Sequence, residues 1–359
     1  MRPQLFEPIT LRSLTVRNRI WIPPMCQYSA EACDGMATDW HMAHLGSLAR
    51  GGAGAVIMEA TAVTPEGRIS PQDTGLWNDE QAEKLQPVVD LMHAQGAAAG
   101  IQLAHAGRKA STARPFGEEG RSGSLTADQG GWSTLAPSAV AYPGLAEPGA
   151  LTGDGIAAVV QAFADAAQRA VQAGFDLLEI HAAHGYLIHE FLSPLSNLRD
   201  DDYGGDLRGR ARLLLEVVDA VRARVGEKVP LLVRVSATDW VEDGLDVQDT
   251  VQVVTWLRDH GVDLIDVSSG GNAPARIRTG PGYQVPLAAA IREQTGVPVA
   301  AVGLITDPVQ AEHIVGTGQA DAVLIGRAAL RNPHWPLEAA RQLGHHPEEI
   351  PGPYERAYR

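Results

Sequence analysis

The chain has 359 residues, of which 45% are hydrophobic and 20% charged. This is the composition of a globular protein that can bury a sizeable core, and it excludes disordered and collagen-like architectures. The formal net charge of −14 argues against nucleic-acid partners and anionic membrane surfaces, because binding to phosphates depends mainly on Lys and Arg.

The cysteines and the N-terminal sequence bear on the cellular compartment. The two cysteines, Cys26 and Cys33, are too few for a disulfide scaffold, and their spacing matches no zinc or dithiol motif. Residues 1–19 lack the apolar core of a signal peptide, and no apolar run approaches the length of a membrane span. We therefore expect a cytoplasmic protein.

Short apolar runs alternate with stretches of helical spacing along the whole chain. The predicted strands are Ile20–Met25, Ala55–Val63, Ala98–Ala104, Leu177–His181, Pro230–Ser236, Asp263–Ser268, Val297–Val302 and Ala322–Ile325. The predicted helices are 41–51, 79–95, 154–173, 207–225, 247–260, 284–295, 307–317 and 334–343. This alternation, without a linker, predicts one domain over residues 1–359 that folds as a closed (β/α)8 barrel, the TIM-barrel fold. A doubly wound sheet fits less well, because no G-x-G-x-x-G follows the first strand.

The main interruption is the segment 108–153, between strand three and helix three, which is dense in Gly, Ser, Pro and Ala. Loops of this length are usually functional or disordered. Every strand-to-helix loop of a barrel lies at the C-terminal face, where active sites are found. We therefore expect this insertion to cover the active site. The alternative is a flexible insertion without a functional role.

The residues just past the strand ends are the first candidates for function, because barrel chemistry is located there. Gly303 follows strand seven, and Gly326-Arg327 follows strand eight. Barrels commonly bind a phosphate at this place with glycine N–H groups, a helix N-terminus and a cation. The alternative is that the glycines only turn the chain and that Arg327 pairs with a carboxylate.

Two polar residues interrupt apolar strands. Arg234 places a guanidinium in strand five, and a buried cation needs an anion beside it. Glu179 on the neighbouring strand is one candidate partner, and a cofactor that becomes anionic on reduction is another. Gln102 in strand three offers one acceptor and two donors, which suit the edge of a pyrimidine. Together with a phosphate site, these residues predict flavin mononucleotide.

The run His181-Ala182-Ala183-His184-Gly185-Tyr186 carries the candidate reaction chemistry. Residues three apart on a straight strand lie about 10 Å apart on opposite faces, so the imidazoles converge only if the backbone turns, as Gly185 would permit. Two converging donors suit an oxygen that gains negative charge, and a protonated phenol can deliver a proton. A metal site and structural histidines are the alternatives, although the first strand ends in Pro24-Met25-Cys26 and not in H-x-H. His41 is assigned no role.

These motifs together resemble the Old Yellow Enzyme family of FMN-dependent ene-reductases, in particular its bacterial thermophilic-like subclass, over essentially the whole chain. The resemblance rests on Asn18-Arg19-Ile20, Pro23-Pro24-Met25-Cys26-Gln27-Tyr28, Gln102-Leu103-Ala104-His105-Ala106-Gly107-Arg108-Lys109, His181-Ala182-Ala183-His184-Gly185-Tyr186-Leu187, Ser193-Pro194-Leu195-Ser196-Asn197, Asp202-Tyr203-Gly204-Gly205 and Gly326-Arg327. Each motif alone gives modest support for the resemblance, but all of them in this order are specific to the family.

The resemblance implies a role for each matching residue. Non-covalent FMN would contact Pro23, Pro24, Met25, Cys26, Ala60, Gln102 and Arg234 around its ring, and Gly303, Gly326 and Arg327 at its phosphate. The Cys26 thiol would lie near the N5/O4 edge of the flavin, and Arg234 would face N1/O2. The substrate would be bound by His181, His184 and Tyr28, with Tyr186 as the proton donor. Arg356 would reach the active site of a neighbouring subunit in a homodimer or homotetramer.

The implied reaction has two halves. NADPH or NADH would deliver hydride to flavin N5, and this hydride would then pass to the β-carbon of an α,β-unsaturated aldehyde, ketone, imide or nitroalkene while Tyr186 protonates the α-carbon. The competing hypotheses are a metal-dependent barrel hydrolase or aldolase, a flavin barrel acting on RNA and a flavin-binding sensory module. The net charge of −14 opposes the RNA hypothesis.

Overall fold

The computed structural model describes residues 3–116, 123–346 and 350–358. Parallel strands form a closed barrel at its centre. In chain order the strands are β1 (Ile20–Ile22), β2 (Ala55–Ala62), β3 (Ala98–Ala104), β4 (Leu177–Ala182), β5 (Leu231–Ser236), β6 (Leu264–Ser268), β7 (Val299–Ala301) and β8 (Ala322–Leu324). The barrel closes where β8 pairs with β1, with Val323 opposite Ile20. The predicted (β/α)8 fold is confirmed.

Helices surround the barrel and connect its strands. They are α1 (Asp39–Arg50), α2 (Asp79–Ala94), α3 (Gly153–Gln172), α4 (Leu187–Leu192), α5 (Leu207–Val225), α6 (Val247–Asp259), α7 (Val285–Thr295), α8 (Pro308–Gly316), α9 (Arg327–Arg331) and α10 (Trp335–Gln342). Several begin at a side chain that accepts a hydrogen bond from the first-turn backbone, as Asp206, Asp246 and Asp307 do. The predicted helices agree with the observed ones to within about two residues at each end, whereas the short α4 and α9 were not predicted.

Prolines set the ends of two strands that are shorter than predicted. β1 ends at Ile22 and not at Met25, because Pro23 and Pro24 have no backbone N–H to continue the ladder. β7 begins only at Val299, directly after Pro298. The chain therefore leaves β1 as an irregular segment at the C-terminal end of the barrel.

An antiparallel hairpin, Ile9–Leu11 with Leu14–Val16, packs against one end of the barrel. Its apolar residues form one buried cluster with residues that alternate along the barrel strands. The barrel members of this cluster are Trp21, Ala55, Ile57, Leu177, Leu232, Leu264, Ala300, Ala322 and Leu324. The intervening strand residues, such as Ile20, Val56 and Ile180, pack with the helices in a second cluster. The hairpin thus closes the N-terminal end and leaves the opposite end for a site.

An aspartate directly precedes each of β4, β6 and β8, namely Asp176, Asp263 and Asp321. Each carboxylate accepts a hydrogen bond from a backbone N–H of the preceding strand, that of Ala99 at 2.8 Å, Leu231 at 2.8 Å and Val299 at 3.0 Å. Each also pairs with a basic side chain of a surrounding helix, namely His93, Arg222 and Arg292. We call these residues the three aspartate staples, because each joins two strands and a helix at the N-terminal end.

The segment 108–153 contains little regular structure in its described part. Residues 117–122 lie outside the described residues. The remainder includes a 3-10 turn at Ala127–Gln129 and a short parallel pair formed by Leu135–Ala136 and Gly149–Ala150. Across the described residues as a whole, no helix has the length and apolar character needed to cross a bilayer.

Removing one aspartate staple tests its part in stability. Asp263 also binds Arg12 of the hairpin, so Asp263→Ala leaves the partly buried guanidinium of Arg222 without its carboxylate and leaves Arg12 paired with Glu227 alone. We expect the free energy of unfolding to fall by about 2–4 kcal/mol in urea denaturation. The control is Asp259→Ala, whose side chain is 63% exposed against 14% for Asp263 and whose loss should cost less than about 1 kcal/mol. Equal losses in the two variants would show that the staple is unimportant.

Candidate active site

The candidate residues lie on neighbouring strands, in register pairs towards the C-terminal end of the barrel. In the parallel register, Gln102 of β3 pairs with Ala60 of β2. On the other side of β4, Arg234 of β5 pairs with His181 of β4 and with Asp266 of β6. The residues that the sequence placed at separate strand ends therefore form one continuous rim at the C-terminal end.

The ion partner of Arg234 differs from the predicted one. Its Nε lies 3.0 Å from Oδ2 of Asp266, and both side chains are buried. The suggestion of a direct pair with Glu179 is wrong, because the Glu179 carboxylate accepts a hydrogen bond from Gln102 Nε2 at 2.7 Å. Burial raises the pKa of Glu179 and of Asp266, and the charge of Arg234 opposes both shifts.

Hydrogen-bonding capacity remains free on two of these side chains. The terminal nitrogens of Arg234 and the carbonyl oxygen of Gln102 have no hydrogen-bond partner within residues 3–116, 123–346 and 350–358. Arg234 also lines the cavity at the ends of β7 and β8. Unpaired donors and acceptors on buried side chains indicate a polar ligand, and this set fits the pyrimidine edge of a flavin.

A cavity of about 250 Å³ opens beside the ends of β7 and β8, and Gly303, Gly326 and Arg327 line it together with Ser268. Gly303 has φ +122°, and a side chain there would approach Gln284 to 3.0 Å. Arg327 is exposed and has neither an ion pair nor a hydrogen bond to any described residue, so the predicted alternative of a carboxylate pair is not found. A free guanidinium beside close-approaching backbone fits a phosphate.

The segment after β1 packs beside Gly326, which lines this cavity. A side chain added at Gly326 would lie 3.5 Å from Pro23 and 3.6 Å from Met25. Cys26 and Tyr28 follow, and burial raises the pKa of the Cys26 thiol and of the Tyr28 phenol. Both side chains are therefore protonated at neutral pH.

Two residues that the sequence analysis did not assign hold this segment in place. The register of β2 shifts between Met58 and Ala60, and the buried carboxylate of Glu59 at this point accepts the backbone N–H of Gln27. The same carboxylate lies 2.8 Å from Nε2 of His41. Because His41 Nδ1 accepts the N–H of Thr38, Nε2 carries the ring proton towards Glu59. His41 is therefore an anchor, and no local motif marked it.

The two imidazoles of His181 and His184 converge, with ring centroids 5.1 Å apart. The backbone turns through left-handed conformations at His184 (φ +60°) and Gly185 (φ +72°), as convergence requires. His184 Nε2 lies 2.7 Å from Oγ of Ser268, and the buried Nδ1 of His181 has no partner among the described residues. Burial lowers the pKa of both rings, and Arg234 lowers it further, so both are neutral at pH 7.

Three polar backbone groups of this turn are bound by side chains from outside it. The N–H of His184 donates to Ser236 Oγ at 2.9 Å, and its carbonyl accepts from Lys109 Nζ at 2.7 Å. The N–H of Gly185 donates to His189 Nδ1 at 2.9 Å. A side chain at Gly185 would lie 2.3 Å from the carbonyl oxygen of Gly271, so only glycine fits there. Of these supports, only His189 lies close to the turn in the sequence, four residues after Gly185, and the sequence analysis assigned none of them.

Tyr186 caps α4, and its ring centroid lies 5.1 Å from that of His181. Burial raises the pKa of its phenol well above the usual value, so the group stays protonated. Arg356 is not brought to these residues within the chain: it is exposed, and the segment Gly352–Ala357 that carries it packs through Tyr354 against His334 and Arg50. Among the described residues, no three His, Cys, Asp or Glu side chains are placed to hold a metal ion.

Comparisons with known proteins agree with this geometry. A family model described as the NADH:flavin oxidoreductase / NADH oxidase family matches residues 4–346. The chain is 49% identical to the NADPH dehydrogenase of Geobacillus thermodenitrificans over 360 residues, covering 100% of both. Its structure resembles the old yellow enzyme homologue of Zymomonas mobilis, with a TM-score of 0.78 and 28% identity over 96% of this chain and 94% of that one.

Morphinone reductase in complex with tetrahydroNAD is a further similar structure, with a TM-score of 0.78 and 27% identity over 98% of this chain and 94% of that one. These likenesses lend no support to a metal-dependent hydrolase, an RNA-modifying flavin barrel or a sensory module. The chain belongs to the NADH:flavin oxidoreductase / NADH oxidase family and, within it, to the Old Yellow Enzyme group of FMN-dependent NADPH oxidoreductases.

Proposed function

We propose that the chain is an ene-reductase that reduces the activated C=C bond of α,β-unsaturated carbonyl, imide or nitro compounds. The observation that carries this proposal is the cluster of two neutral imidazoles and one protonated phenol, with ring centroids 5.1 Å apart, at the end of the barrel that carries the cofactor residues. Such a cluster can bind an oxygen and deliver a proton at the same place.

FMN would be held at both ends by the residues described above. Gln102, Arg234 and Ala60 would bind the pyrimidine side of the ring, with Pro23, Pro24, Met25 and Cys26 along the segment after β1. Gly303, Gly326 and Arg327 would bind the phosphate. When bound, this cofactor supplies the hydride, which it takes from NADPH and passes to the β-carbon of the substrate.

His181 and His184 would bind the substrate's carbonyl or nitro oxygen. Because both rings are neutral, each offers one N–H and no net charge, so they stabilise an oxygen mainly as negative charge develops on it. Arg234 supports this state, since its charge lowers the pKa of both rings. Tyr28 would also help to bind the substrate.

Tyr186 would protonate the α-carbon. Its phenol is buried and therefore protonated at neutral pH, which is the state that a general acid needs. The segment 108–153 would cover the reacting groups, and Arg108 supports this placement by donating hydrogen bonds to the carbonyls of Val140 and Asn272. A covered site keeps water from competing for the proton.

We also propose that the enzyme works as a homodimer or homotetramer in which Arg356 enters a neighbouring active site. The guanidinium is exposed and has no partner among the described residues, on a segment that packs by Tyr354 against α1 and the start of α10. An unpaired arginine that projects from a fixed segment is suited to completing a site on another copy.

The purified enzyme, yellow with FMN, tests the proposed reaction directly. We expect NADPH to bleach the flavin under anaerobic conditions and 2-cyclohexenone or N-ethylmaleimide to restore its colour, with one saturated product formed for each NADPH consumed. Bleaching without recolouring by any such acceptor would contradict the ene-reductase assignment.

His181→Ala separates the two halves of the reaction. Loss of one donor to the developing oxyanion should slow recolouring by 2-cyclohexenone by about 10²–10³-fold, while bleaching by NADPH changes far less. Stopped-flow absorbance measures both rates. The control is His260→Ala, whose ring binds Asp219 on the outer surface; equal loss in both halves for His181→Ala would show that the assigned role is wrong.

Tyr186→Phe removes the proton donor and keeps the ring. We expect recolouring by 2-cyclohexenone to slow by about 10²-fold, with the dissociation constant of the substrate little changed because both imidazoles remain. Tyr203→Phe is the matched control, since its phenol donates to Glu216 at 2.9 Å away from the site. An unchanged rate in Tyr186→Phe would assign the proton to another donor.

Arg356→Ala tests the shared site. We expect KM for 2-cyclohexenone to rise about 3–10-fold, the loss of one hydrogen bond to a substrate oxygen, with FMN content unchanged. Arg341→Ala, which removes an exposed arginine paired with Glu338, is the control. Sedimentation should show an oligomer, and a monomer with full activity would refute the proposal.

A further inference from the structure

Lys109 lies next to the candidate active site, and none of the roles proposed above uses it. It ends the 3-10 turn Gly107–Lys109 that follows β3. Its Nζ lies 5.0 Å from the ring centroid of Tyr186 and 4.9 Å from that of Tyr142. Tyr142 belongs to the segment 108–153, so the ammonium is placed between one ring of that segment and the ring of the proposed proton donor. Both distances are within the range of cation–π attraction.

The same ammonium also binds two backbone carbonyls. Nζ donates to the carbonyl of His184 at 2.7 Å and to that of Gly271 at 3.1 Å. These two residues belong to loops that pack closely on each other, since a side chain at Gly271 would lie 2.6 Å from the Cα of His184. Lys109 therefore contacts the turn that brings the imidazoles together, the loop behind it and two aromatic rings.

We propose that Lys109 is a positioning residue that fixes the Tyr186 ring for proton transfer and also holds the chain around Tyr142 at the same point. This inference rests on the proposed role of Tyr186. Lys109 acts through other groups and need not touch the substrate, because the contacts described here are with aromatic faces and backbone oxygens.

We call the contacts of Lys109 Nζ with the two rings and the two carbonyls the clamp. The clamp needs the charged form of the amine, since a neutral amine is attracted far less to aromatic faces. Burial lowers the pKa of Lys109 to about 8, with Glu190 opposing and Arg108 reinforcing the shift. The clamp is therefore complete below pH 8 and is lost as the pH rises through that value. The other groups facing Lys109 are His181 and His184, whose pKa is lowered, and Tyr186, whose pKa is raised.

Glu190 would titrate in the same range, because burial raises its pKa to about 8. A fall in rate near pH 8 would therefore not identify Lys109 without variants. Lys109→Met removes the charge and keeps the length of the side chain, whereas Lys109→Arg keeps a charge that persists to pH 12. The matched control is Lys84→Met on the exposed face of α2.

The experiment measures recolouring by 2-cyclohexenone and bleaching by NADPH from pH 6 to pH 10. In the unaltered enzyme and in Lys84→Met, we expect the recolouring rate to fall above pH 8. Lys109→Met should recolour about 10-fold more slowly at pH 7 and lack this fall. Lys109→Arg should regain most of the rate and hold it to pH 10. Bleaching should change less than about 2-fold in all of them.

A second measurement does not depend on turnover. Amide hydrogen exchange reports the opening of the His184–Gly185 turn and of the chain around Tyr142. We expect faster exchange at both places in Lys109→Met, with Lys109→Arg and Lys84→Met unchanged. Tyr142→Leu should loosen the same places more than Tyr142→Phe, which keeps the ring.

The outcomes separate this inference from the proposed function. If the unaltered enzyme does not recolour with any enone, the proposed function fails and hydrogen exchange alone decides whether the clamp exists. If the unaltered enzyme recolours and Lys109→Met has the same recolouring rate, pH profile and amide hydrogen exchange, then Lys109 is not a positioning residue. A fall near pH 8 that persists in Lys109→Arg would assign the titration to Glu190 and overturn the role of the charge.

Discussion

The buried guanidinium of Arg234 places a positive charge in an otherwise apolar barrel, and the surrounding groups depend on it. Asp266 compensates it at 3.0 Å, and two of its nitrogens are left for a ligand. Burial lowers the pKa of His181 and His184 and so keeps both imidazoles neutral, and the charge of Arg234 lowers these pKa values further. The Arg234 guanidinium thus offers donors to an electron-rich cofactor edge. It also favours the uncharged state of the two imidazoles beside it.

The convergence of the His181 and His184 rings also requires a backbone turn, which a straight strand does not provide. A left-handed His184–Gly185 pair brings residues three apart onto one side of the site. Such a conformation is costly outside glycine, so it persists only where neighbouring groups fix it. Ser236 of β5, Lys109 of the 3-10 turn after β3 and His189 of α4 hold the turn in place. The placement of the His181 and His184 rings therefore depends on side chains from three other places in the chain.

The sequence was sufficient for the barrel and for the residues at its strand ends, because periodicity and strand order determine both. The sequence was insufficient to predict which side chains contact each other across different strands of the barrel. Whether Arg234 meets Glu179 or Asp266 depends on side-chain direction at the rim, and both acids lie one strand away from it. The contacts of Lys109 with His184 and Gly271 join residues 75 and 162 positions apart, and no local pattern encodes them. The hairpin and α4 were missed because they are too short to show a period.

The three aspartate staples lie at the end of the barrel remote from every residue assigned to chemistry. Asp176, Asp263 and Asp321 each bind a strand start and a helix, and none of them reaches the rim that carries Arg234 and His181. The contacts that stabilise the fold at the aspartate staples are consequently separate from the residues assigned to chemistry, at opposite ends of the barrel. Because of this division, the loops at the C-terminal end can change in sequence without loss of the contacts that stabilise the N-terminal end. New substrate specificities can therefore arise by exchange of these loops on an unchanged barrel.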